Sequence, residues 1–75
     1  MTRKHFIVMA TAMGNGLGAA YLHGGEEGRT AFYDEVYTPL VALCRESNPA
    51  FDSLRFSHAA SVQETHFLAA HPASV

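Results

Sequence analysis

The sequence holds one cysteine, Cys44, in 75 residues. An internal disulfide is thereby excluded, and with it the cross-linked scaffold of small secreted domains. The expected compartment is reducing. Charge is scarce as well: charged residues make up 16%, acids outnumber Lys and Arg by 7 to 5, and the net charge is -2. A nucleic-acid binder uses a basic face to displace phosphate counterions, and little here could build one, so nucleic acid is not an expected partner. Long apolar runs are missing too. The run over residues 6–13 is short for a signal peptide and no cleavage motif follows it. Nothing reaches the ~18 consecutive apolar residues of a membrane span, so no membrane partner is expected. Val and Ile are few, and no segment alternates as a strand would.

What is present points to one small helical domain. Hydrophobic residues make up 48%, enough for a folded core. A core of this size rarely supplies more than about 3–5 kcal/mol unaided. A homodimer, or a complex with a larger protein, is the expected remedy.

The apolar spacing predicts helices. Thr2 is an N-cap, with Met1 and Phe6 in the positions of a hydrophobic staple. Phe6, Ala10, Met13, Leu17 and Tyr21 then share one helical face, which predicts a helix over 3–22 ended by His23-Gly24-Gly25. Phe32, Val36, Leu40, Leu43 and Ser47 form the next face, over 29–47. Pro39 interrupts it. Either the helix kinks near Glu35, or Thr38 caps a new helix with Pro39 at its first position; the unbroken face favours one kinked helix. Asn48-Pro49 stops that helix. Asp52 caps a third over 52–60, with Phe51 and Phe56 as its staple. Ser61-Val62-Gln63-Glu64 matches a capping box and predicts a fourth short helix at 62–70, closed by Pro72 and followed by a frayed end at 73–75. The expected fold is all-α: a helical hairpin with one or two short closing helices.

No constellation for chemistry emerges. Gly14-Asn15-Gly16-Leu17-Gly18-Ala19 has the letters of a dinucleotide fingerprint, but no strand precedes it and the chain is too short for a βαβ domain. Gly14 and Gly18 serve either close helix packing or a break between helices. His58, His66 and His71 lack the i, i+4 spacing that would place two imidazoles on one face, and there is no Cys/His cluster. Cys44 beside Leu40 and Leu43 reads as a buried thiol. The pairs Glu26-Glu27 and Asp34-Glu35 read as a solvated face. No catalytic, cofactor-binding or metal-ligating residue is expected.

Two stretches carry a family resemblance. Thr2-Arg3-Lys4-His5-Phe6 and Asn48-Pro49-x-Phe51-Asp52-x-x-Arg55-Phe56 together resemble a group of short proteins encoded by tailed phages of actinobacteria. Members begin with T-R-K-x-F on a first helix and end with N-P-x-F-D-x-x-R-F. The resemblance covers both ends of residues 2–60. Most members are uncharacterised, so it implies a phage origin more than an activity; host takeover or counter-defence, in the host cytoplasm, are the expected roles of such short phage products.

The residues suggest how such a protein would work. Tyr33, Tyr37 and Val41 form a second apolar stripe beside the Phe32 face. A helix apolar on two sides is usually buried on two sides, so this stripe, with Arg55, is the expected contact with a host or phage protein or a second copy. The alternative is a small nucleic-acid-binding regulator gripping through a basic helix at Arg3, Lys4 and His5.

Overall fold

A computed structural model describes residues 3–71, and every element in them is helical. α1 spans Arg3–Phe32, a π-helical turn spans Tyr33–Tyr37, α2 spans Thr38–Ser47 and α3 spans Ser53–Ala70. The fold is all-α, as the apolar spacing predicts. Met1 and Thr2, and the end at 72–75 with Pro72, lie outside the described residues.

α1 is two arms joined at one residue. Gly25 has φ 64° and ψ -155°, a backbone region that glycine enters without a Cβ clash. That single residue turns the chain back within the expected His23-Gly24-Gly25 break. The arms then approach closely: a Cβ at Gly28 would fall 2.7 Å from the Ala20 carbonyl oxygen, and one at Gly16 would strike the Phe32 ring. The second arm runs on without interruption into α2.

The π turn lies where Pro39 would otherwise meet the Glu35 carbonyl. The Thr38 N–H donates to the Tyr33 carbonyl, five residues back, so the turn is wider than an α turn. The expected kink near Glu35 is thus a π turn. Its extra residue rotates everything that follows. Before it Phe32 faces inward; after it Tyr37, Val41 and Cys44 do, with Tyr37 first at five residues rather than four. Part of the expected inward face is correspondingly turned out: Val36 is 40% exposed and Leu43 60%, while Phe32 and Leu40 still pack against the core.

α2 stops as expected at Asn48, which is extended, and the Asn48 Oδ1 accepts from the Ala50 N–H at 3.1 Å. Asp52 caps α3, its Oδ1 accepting from the Leu54 and Arg55 N–H groups at 3.1 Å each. The staple forms too, with the Phe51 and Phe56 rings edge to face at 5.3 Å. The expected pair of short helices is instead one helix of 18 residues. The Ser61 capping box does not form. The Thr65 hydroxyl donates to the Ser61 carbonyl within the helix, and Glu64 is engaged by Arg29 instead. Ala60, 1% exposed, packs in the core and carries the helix past the expected break.

α3 runs parallel to the first arm of α1. Phe6 meets Phe56 at 5.5 Å and Phe51 at 5.9 Å, Gly14 faces Ala60 and Gln63, and Gly18 faces Phe67. The second arm is antiparallel to both, with Tyr37 on Phe56 at 5.8 Å and Arg29 on Glu64. The core is Ala10, Leu17, Tyr37, Phe56 and Ala60, with Phe56 fully enclosed. Gly14 and Gly18 therefore serve close helix packing: a Cβ at either would fall 2.5 Å from α3.

Candidate protein-docking surfaces

The expected contact stripe is largely internal. Tyr37 is 5% exposed and belongs to the core, and Val41 is half-buried against it. The π turn is the cause, because it draws these two positions onto the inward face. Tyr33 remains outside, 43% exposed, its ring stacked on Tyr37 at 4.8 Å. Arg55 is exposed at the start of α3. The structure thus separates the four residues instead of gathering them on one outer face.

A different apolar row takes their place. Val36, Leu40 and Leu43 are spaced i, i+4, i+7, and Val36 and Leu43 are open to solvent. The same residues read as a core face under a uniform α-helical period. The signal that could have moved them outward is Pro39, whose accommodation by one extra residue shifts the period.

A second surface is an open groove of about 650 Å³ between the start of α1 and the turn that enters α3. Arg3 and Ile7 line it from α1, Phe6 and Phe51 form its floor, and Asp52, Arg55 and Ala59 line it from the other side. Ile7 is 53% exposed. Among the described residues, neither the Arg3 nor the Arg55 guanidinium has a hydrogen bond or ion pair. A smaller recess of about 140 Å³ is lined by Leu17, Tyr33, Tyr37 and the Arg29–Glu64 pair.

That pair was not legible from spacing, because its members lie 35 residues apart. The Arg29 Nε donates to Glu64 at 2.6 Å and Nη2 at 3.0 Å, a two-point grip on the carboxylate. The hydrogen bond to Glu64 raises the Arg29 pKa further above its ordinary value, against a smaller desolvation effect. Nearby, the Gln63 side-chain amide donates to Asn15 at 2.9 Å and ties α3 to the first arm.

Cys44 is buried and free, but on the inward face with Tyr37 and Val41, while Leu43 of its expected face is turned out. His23, His58 and His66 are exposed. Among the described residues no group of three His, Cys, Asp or Glu could hold a metal ion, and no helix is long and apolar enough to cross a membrane. Comparison with family models, curated proteins and solved structures gives no match to this chain.

Proposed function

We propose that the chain is a small phage accessory protein that acts by binding a protein of the host or of the phage, in host takeover or counter-defence, within the host cytoplasm. The phage origin is what the motifs at the two ends of residues 2–60 imply. The binding mode is supported by one observation above all: Val36 and Leu43, exposed on one helical surface with half-buried Leu40 between them. Apolar side chains aligned on one outer face suit a partner surface. The low content of basic residues speaks against the nucleic-acid reading.

Capture from host lysate with tagged protein tests this. The parent chain should retain one stoichiometric protein, and Leu43→Asp should lose it while keeping the helical circular dichroism of the parent. Leu43 is largely exposed, so an acid there leaves the core intact. Recovery of DNA alone, or capture indifferent to Leu43→Asp, would overturn the reading.

A further inference from the structure

The groove at the start of α1 and α3 differs in chemistry from the α2 row. We infer that it holds an acidic segment of a partner protein, with an apolar side chain set between its carboxylates. The inference deepens the protein-binding reading and rests on it.

Charge is the first argument. Arg3 and Arg55 stand on the two sides of one groove without partners of their own. The Asp52 carboxylate sits among them, but its Oδ1 is taken by two backbone amides at the head of α3. The groove therefore sets two guanidiniums against one carboxylate, a net positive charge. A guanidinium presents a planar fork that matches a carboxylate in two-point fashion.

The floor is the second argument. Phe6 and Phe51, with exposed Ile7 beside them, give the groove an apolar lining, which suits one aliphatic side chain of an otherwise acidic segment. The same floor disfavours single-stranded nucleic acid. The Phe6 and Phe51 rings are locked edge to face with each other at 5.9 Å and with Phe56 at 5.5 and 5.3 Å. Those contacts hold the cap of the bundle together, so the rings are not free platforms for stacked bases.

The test uses the full chain, labelled with ¹⁵N, and the peptide Gly-Asp-Glu-Leu-Asp-Glu-Gly as probe. Its amide counterpart, Gly-Asn-Gln-Leu-Asn-Gln-Gly, and a short oligothymidylate serve as comparisons. The acidic peptide should shift the amide signals of Ile7, Phe51 and Arg55 and leave those of α2 in place. The amide counterpart should bind about tenfold more weakly or worse, as should the acidic peptide to the Arg3→Gln, Arg55→Gln double variant. The double variant should melt with the parent, since neither guanidinium supports the fold. Failure of the acidic peptide to shift these signals, equal binding of the two peptides, preference for the oligothymidylate, or peptide-free shifts that grow with protein concentration would each overturn the inference. The last would assign the groove to a second copy. Partner capture that depends on Leu43 but persists in the double variant would leave the protein-binding reading standing and remove the groove from it.

Discussion

Single atoms decide much of this structure at the glycines of α1. A Cβ on Gly14 would lie 2.5 Å from the Ala60 carbonyl oxygen and 2.6 Å from the Gln63 Cβ. Backbone is hard to move, so Gly14→Ala should destabilise by about 1–3 kcal/mol, although Ala alone favours helix. Gly24 has nothing within 4 Å, and Gly24→Ala should be neutral or slightly stabilising. Paired urea melts check the contrast; equal effects would mean that the close approach of α1 and α3 is not what Gly14 provides. Phe56 is the other decisive residue. It is fully buried among Phe6, Tyr37 and Phe51. Phe56→Ala should cost about 3–5 kcal/mol, enough to unfold a domain of this size at 37 °C. Half-buried Phe51 should cost less, and a melt of Phe56→Ala like the parent's would contradict the packing. Tyr37→Ala belongs with Phe56→Ala: it removes a core ring, so lost binding in that variant would report lost structure.

Among the elements, the π turn has the widest consequences. Phe32 and Tyr37 both face the core across five residues, and the Thr38 N–H reaches back to Tyr33 to allow it. Deleting the exposed Asp34 would place the same two rings four residues apart, the natural α period. The deletion should convert the segment to regular α-helix and leave stability within about 1 kcal/mol of the parent, because a one-residue insertion is what a π turn accommodates. Amide exchange and thermal melts check this. Loss of the fold on deletion would show that the π turn itself, rather than the register it creates, is required.

At the scale of the whole molecule, the three arms are held side by side over extents of 44 × 21 × 15 Å, and polar ties secure the outside of the core. The Arg29–Glu64 pair joins the second arm of α1 to α3, with Arg29 at 40% and Glu64 at 12% side-chain exposure. Solvent screens a pair of this kind, so Glu64→Gln should cost about 1 kcal/mol or less, and less still at high salt. The sign of the pH effect follows from Arg29. Its folded pKa is raised above its ordinary value by the hydrogen bond to Glu64, so its contribution is complete below the unfolded pKa and is lost only as pH rises through the folded one. Arg29 should therefore add no slope to stability between about pH 6 and 9. A slope in the parent over that window that vanishes in Arg29→Gln would contradict the assignment.

The sequence by itself determined the all-α class, the turn at His23-Gly24-Gly25, the stop at Asn48-Pro49, and the cap and staple around Asp52. Each depends on a few neighbouring residues and on backbone preferences that act locally, which is why spacing alone exposes them. Tertiary structure decided the rest. Whether Gly14 and Gly18 mark a break or a contact depended on α3 lying against them. Whether Ser61 starts a helix or continues one depended on Ala60 entering the core and Arg29 reaching Glu64. The outer face was least legible: one extra residue at the π turn carried Tyr37 and Val41 inward and Val36 and Leu43 outward. A uniform helical period cannot register that shift, because the position of the extra residue is set by Pro39 together with the demand that Phe32 and Tyr37 share one core. The groove that joins Arg3 to Arg55 has the same origin, since it exists only once the ends of two helices, about fifty residues apart in the chain, are packed together.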